Sequence, residues 1–156
     1  MHKYYVFQAG LLTGAPFWRL LIHDWSKFRP SEWKPYSRNF YDEDGIKREF
    51  VHKDDRTPEE EEITQVFFDA MHLHMKRNKH HWNYWVAFKG KSRDLYGLEM
   101  PEKYVREMVA DWLGASKAKT GGWDNILTWY PKNKDSMILH PETLKMTQKI
   151  MLEILS

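Results

Sequence analysis

The chain predicts an all-α fold, a compact single-domain helical bundle. Three observations predict it. Apolar residues recur at helical spacing in several segments. Helix start and stop signals punctuate those segments, among them Gly14, Pro16, Thr57-Pro58-Glu59, Met100-Pro101-Glu102 and Pro141. No segment alternates convincingly between apolar and polar residues as a half-buried strand does. A length of 156 residues, 42% hydrophobic and 29% charged, suits one globular domain with a single core.

The elements follow in order. Residues 2 to 13 read as a helix carrying Tyr5, Phe7, Ala9, Leu11 and Leu12, with Gly14 as its stop. Pro16 suits the first turn of a second helix, which carries Trp18, Leu20, Leu21, Ile22 and Trp25 and ends before Pro30. Pro30-Ser31-Glu32 opens a short third helix to about Phe40, with Pro35 as a point of interruption. Residues 41 to 57 turn polar and form a loop long enough to act as a lid. Thr57 then caps a helix to about Arg77, with Ile63, Val66, Phe67, Ala70, Met71 and Leu73 as its apolar set. NKHHW breaks that helix or begins a short element through Phe88, and KGKSRDLYG is a further loop. A helix from Glu102 to about Ala118 presents Tyr104, Val105, Met108, Val109 and Trp112. After the TGGWDN turn, residues 123 to 130 form a short helix ended by Pro131, and a last helix runs from Pro141 to the end.

Composition narrows the function classes. Aromatic residues reach 15%, enough rings to pack a core and to line a pocket. The formal net charge of +2 is too weak to argue for nucleic acid on electrostatics. There is no cysteine, which excludes disulfides, thiolate metal sites and a cysteine nucleophile. No stretch approaches the roughly eighteen apolar residues of a membrane span. MHKYYVFQAG lacks the aliphatic run of a signal peptide, so an intracellular, cytoplasmic protein is expected.

The sharpest clue is the order of metal-binding side chains: His2, His23-Asp24, His74, His80-His81, Asp111. Imidazoles and carboxylates hold zinc, iron, manganese and similar ions. On a helix, His23 and Asp24 project about 100° apart, so one ion between their directions can take both. Taken alone, the pair also reads as a hydrogen-bonded structural pair. Lys27 sits four residues after His23, on the same helical face, where a cation suits a phosphate. His74 and His81 are seven apart and share a face if the helix continues. If Asn78-Lys79 breaks it, His80 or His81 swings back. Lys76 and Arg77 add positive charge against an anionic substrate. Asp111 stands in the apolar run MVADWLGA, costly to bury without a counter-charge. Glu107, four residues earlier, shares its face, and a cation between the two would relieve their repulsion. Of the two, Asp111 is the more embedded and the better ligand. His2 lies at a chain end, where helices fray. His72, His52 and His140 read as structural or incidental.

This arrangement resembles the HD-type metal-dependent phosphohydrolases, helical domains with a first His, a His-Asp pair often followed by a Lys, and a later helical Asp. The parallel falls on His2, His23-Asp24, Lys27, His74, His80 or His81, and Asp111. A closer resemblance spans most of the chain. HKYYVFQAG, WRLLIHDWSKF, HMKRNKHHWNYW and EMVADW are similar to the segments shared by a group of small bacterial and phage proteins known only as a domain of unknown function. A proline commonly follows the Asn of the third segment in that group, and here Lys79 takes its place.

The resemblance to HD-type enzymes implies an HD-like fold and a phosphohydrolase acting on a phosphorylated small molecule such as a nucleotide. One divalent transition ion (zinc, iron, manganese or similar) would take His2, His23, Asp24 and Asp111. A second would add His74 and His80 or His81, with Asp24 bridging. Lys27 and Arg77 would steady phosphoryl charge, and Glu107 would shuttle protons. Trp25, Trp82, Tyr84 and Trp85 offer stacking faces for a base. Two other classes stand beside this one. A non-catalytic helical binding module, a phage or bacterial accessory protein, would use the His/Asp cluster structurally. Single-strand nucleic-acid binding would use the cations and rings of KRNKHHWNYW, against the modest charge.

Overall fold

The computed structural model describes residues 1–155. In chain order it contains α1 (His2–Thr13), α2 (Phe17–Ile22), α3 (Pro30–Phe40), α4 (Pro58–Arg77), β1 (Val86–Phe88), β2 (Leu95–Gly97), α5 (Glu102–Thr120), α6 (Ile126–Asn133) and α7 (Pro141–Leu155). Short 3-10 turns cover Trp25–Phe28, Lys53–Asp55, Trp82–Trp85 and Lys134–Ser136. The fold is all-α, with a small antiparallel hairpin that pairs Val86 with Gly97 and Phe88 with Leu95. That hairpin departs from the expectation of no strands. At three residues each, its strands are too short to show a period of two. Ser156, to which the last helix was expected to run, and the side chain of Leu155 lie outside the described residues.

Several ends follow local chemistry. Gly14 closes α1 in the left-handed conformation, φ 67°, which glycine adopts without a Cβ clash. Thr57 caps α4: its hydroxyl accepts from the Glu60 N–H, and the Glu60 carboxylate accepts from the Thr57 N–H. Pro131 departs from expectation, while α3 runs to Phe40 as expected with Pro35 inside it. Pro35 lies inside α3 and Pro131 inside α6, and neither ends its helix. A proline removes one N–H and crowds one carbonyl of the preceding turn, which kinks a helix without always ending it.

The second helix departs most. It stops at Ile22, short of the expected end before Pro30. His23 is extended (ψ 131°), and Asp24 takes the left-handed conformation, φ 57°. The Trp25–Phe28 turn then begins, with the Lys27 N–H on the Asp24 carbonyl. His23 and Asp24 are therefore not helical neighbours 100° apart, and Lys27 is not one helical turn beyond His23.

Two compact units make up the described chain. The first holds Met1–His23 and the residues from Lys79 onward; the second is Asp24–Asn78. In the first unit α5 packs on α1 and α7. Val6, Ala9, Val105, Met108, Val109 and Ala110 are sealed from solvent. Of the expected α5 stripe, Tyr104, Val105, Met108 and Val109 are buried and Trp112 is half-buried beside Trp129. Gly114 lets α1 approach α5: a Cβ built on it would stand 2.6 Å from the Val6 nitrogen. In the second unit α3 packs along α4. Tyr36 sets its ring edgewise to Phe67 at 5.0 Å, and Phe40 does so at 5.4 Å. Residues 41–57 contain a bridge between Tyr41 and Lys47 and the Lys53–Asp55 turn.

Gly114→Ala should force α1 away from α5. Overpacking of this kind costs roughly 1–3 kcal/mol, read as a lower urea midpoint at unchanged slope. A midpoint equal to that of the parent protein would contradict the close approach.

Candidate functional site

Each unit organises its histidines around one buried carboxylate. In the first unit this is Glu107, at the middle of α5 and 0% exposed. An anion with no solvent contact needs compensation from protein groups. Arg19 of α2 donates from Nε to Glu107 Oε2 at 2.7 Å. The other oxygen, Oε1, lies 3.1 Å from His23 Nδ1 and 3.3 Å from His80 Nδ1. Burial pushes the Glu107 carboxyl up. The bonds to His23 and His80 and the charges of His80 and Arg19 outweigh it and bring the pKa down to about 2. An ionised carboxylate only accepts. The Nδ1 atoms therefore donate, and the Nε2 edge of each ring faces the other way.

Beyond the His23 edge stand Asp111 and His2. Asp111 Oδ1 is 3.4 Å from His23 Nε2 and 3.1 Å from His2 Nε2. The His23 ring lies 6.0 Å from that of His2 and 4.4 Å from that of His80, which lies 4.2 Å from His81. Glu107 and Asp111 share one face of α5, as their spacing implies. Their burial is the reverse of expectation, with the side chain of Asp111 13% exposed and that of Glu107 0%. The apolar run MVADWLGA surrounds Asp111 in sequence, but burial is set by what packs on each side chain.

The second unit repeats the arrangement with Glu32 of α3, also 0% exposed. Arg77 donates to Oε1 at 2.7 Å, while Ser26 Oγ donates to Oε2 and His74 Nδ1 lies 2.9 Å from it. Burial raises the Glu32 carboxyl, yet the bonds from Arg77, Ser26 and His74 hold it below the usual carboxylate range. His74 Nε2 is 3.1 Å from Asp24 Oδ1. Lys27 pairs with Asp24 Oδ2 at 2.5 Å. Asn78, just past α4, donates to the His74 carbonyl at 2.8 Å and to Ser26 Oγ at 2.7 Å. It thus closes the helix at Arg77, so His74 and His81 do not share a helical face.

The site residues expected from sequence fall into these two groups. His2, His23, His80, His81, Glu107 and Asp111 belong to the first unit. Asp24, Lys27, His74 and Arg77 belong to the second. Arg77 is committed to Glu32 and to the Ser31 hydroxyl at 3.0 Å. Glu107, paired with Arg19 and held low by the bonds to His23 and His80, is placed to position those imidazoles. His72 is exposed, and His52 and Asp54 form an exposed pair. Sequence reasoning passed over Arg19, Ser26, Glu32 and Asn78.

The first-unit donors suit an ion. Donor atoms of His2, His23 and Asp111 lie within 4.8 Å of one another, and so do donors of His23, His80 and Glu107. Two donors each about 2.1 Å from an ion at a tetrahedral angle stand roughly 3.4 Å apart, near the spacings about Asp111. The Glu107 contact to His23 Nδ1 is the outer carboxylate that commonly orients a metal-binding histidine.

Such His–carboxylate clusters on an all-α frame define a class of fold and site, without an activity. The chain belongs to the Family of unknown function (DUF5662), which it matches over residues 1–153. No curated protein matches it, and no solved structure does.

Glu107→Ala should cost about 3–5 kcal/mol, because it leaves the Arg19 charge buried and uncompensated. The double variant Arg19→Met with Glu107→Leu should recover part of that loss. Thermal and urea unfolding of the two variants check this, and a double variant no more stable than the single one would count against the pairing.

Proposed function

We propose that this protein is a metal-dependent phosphohydrolase of HD-like type acting on a phosphorylated small molecule, with nucleotides the first substrates to try. The observation that carries the proposal is the convergence of His2, His23 and Asp111 donors around Asp111 Oδ1, with His23 anchored from behind by Glu107. Two imidazoles and one carboxylate are a donor set that zinc, iron and manganese accept while leaving positions open. His80 and His81 in the same unit offer further donors.

A divalent ion there would supply an activated water at neutral pH and charge stabilisation for phosphoryl transfer. The chain's own residues would do the rest. Glu107 and Glu32 fix the ring orientation of His23, His80 and His74 through Nδ1. The bonds from His23 and His80, with the Arg19 charge, keep Glu107 ionised, and Arg77, Ser26 and His74 do so for Glu32. Lys27, one-third exposed, spends one ammonium donor on Asp24, and its remaining donors suit a phosphoryl oxygen.

One observation favours a structural reading. Glu107 and Glu32 are each compensated by an arginine, so these carboxylates balance without an ion. A non-catalytic helical module would show the same pairs.

Metal analysis of untagged protein separates the readings. The enzyme reading expects about one or two transition ions per chain. His23→Ala and Asp111→Ala should lose them while keeping helical circular dichroism. Glu107→Gln should weaken metal binding roughly 10–100-fold. Hydrolysis of nitrophenyl phosphate and nucleoside monophosphates should vanish with chelator and return with metal. No bound ion, and no uptake on titration, would end the proposal.

A further inference from the structure

The second unit contains a cleft that the metal-site reading does not use. It has a volume of about 860 Å³ and lies among the end of α3, residues 42–56 and the first half of α4. That size falls within the range of small-molecule sites. Phe40, Phe50, Ile63, Phe67 and Phe68 supply its apolar lining. Phe50 is 86% exposed and Phe68 48% exposed, although both line a concavity. Unfilled aromatic surface in a cleft is surface a ligand can cover.

The charged residues of the lining are unevenly committed. Of the acids, Glu49 lines the cleft beside Arg48, and Asp42 accepts the N–H groups of Asp44 and Ile46 in its own turn. Glu60 closes the α4 capping box and is held ionised by the Thr57 bonds. Asp42 and Glu60 are thus turned to backbone work, with the charges of Arg48 and Arg56 also favouring the ionised Glu60. The cations hold looser contacts. Arg48 Nε reaches the Tyr41 carbonyl at 3.3 Å, and Arg56 Nε the Val51 carbonyl at 3.4 Å. Arg56 Nη1 meets Glu61 only at 3.5 Å. Each guanidinium carries five donors, so most of the fork of Arg48 and Arg56 stays available, with Lys47 beside them.

We infer that this cleft binds a small amphipathic anion, with an aromatic or aliphatic body against the phenylalanines and a carboxylate, sulfonate or phosphate on Arg48 and Arg56. The arginine fork matches such oxyanions in two-point geometry. The polar segment 41–57 thus furnishes one wall and all three cations of the lining.

Anilinonaphthalene sulfonate is the probe, titrated into the full chain by fluorescence. Saturable binding at one site per chain is expected. Phe50→Ala, an exposed position whose loss leaves packing intact, should weaken it, and Arg48→Ala should weaken it about tenfold or more. Arg48→Lys should restore part of the affinity. Phenylnaphthylamine, the same aromatic body without the sulfonate, should bind weakly and ignore Arg48→Ala. Unfolding midpoints of all variants are measured alongside, to exclude dye binding to loosened protein. Binding that does not saturate, or that Phe50→Ala and Arg48→Ala leave unchanged, overturns the inference. Metal content plays no part in the readout, so its outcome is independent of the phosphohydrolase proposal.

Discussion

The first unit depends on one buried anion. Glu107 sits on α5 among Met108, Val109 and Ala110, where burying a carboxylate alone would be prohibitive. Its acceptors are therefore obligatory destinations for donors from elsewhere in the chain. Arg19 arrives from α2, His23 from the residue after α2, and His80 from just beyond α4 in sequence. Three distant stretches are fixed by one side chain. Because Glu107 stays ionised, it also fixes which nitrogen of His23 and His80 carries the proton, and so which edge presents a lone pair.

Glu32 does the same in the second unit with a different set of neighbours. Arg77, Ser26 and His74 converge on it, and Asn78 ties Ser26 to the end of α4. In both units the arginine takes one carboxylate oxygen and imidazole the other. The repeat arises from a shared physical requirement, since each Glu is fully buried and each His must be held in one orientation. Asp24 enters from a strained position, the left-handed region that aspartate tolerates better than most residues. Strain held by surrounding contacts is common where a side chain must be aimed.

Much of the helical frame could be read from local signals. Gly14, the Thr57–Glu60 capping box and the Tyr104, Val105, Met108, Val109 stripe each act within a few residues, and they marked α1, α4 and α5 closely. The end of α2 could not be read, because neither glycine nor proline stands at His23-Asp24. The helix yields there to long-range bonds made by both side chains. The histidines and Asp111 were legible as a group, since those residue types are scarce in apolar helices. Their carboxylate supports were harder to find. Glu32 looks like an ordinary acid in the first turn of α3, and its partner Arg77 lies 45 positions away. Arg19 did carry a signal: a lone cation inside FWRLLI raises the same question of compensation as Asp111 inside MVADWLGA.

Stability alone gives little reason for this design. Replacing a buried ion pair by apolar residues of similar volume is often neutral or stabilising. The Arg19–Glu107 pair therefore has to be understood through what it orients. His23 Nε2 and Asp111 Oδ1 stand 3.4 Å apart, and Asp111 is also 3.1 Å from His2 Nε2. With Nδ1 of His23 donating to Glu107, a neutral ring would turn a lone pair toward the Asp111 oxygen. Two lone pairs at that distance repel, so something positive belongs between them: a second proton on the imidazole or a metal ion. A proton satisfies one such contact. A doubly protonated ring and a ring that ligates an ion both make use of an imidazole held from behind by the Glu107 carboxylate.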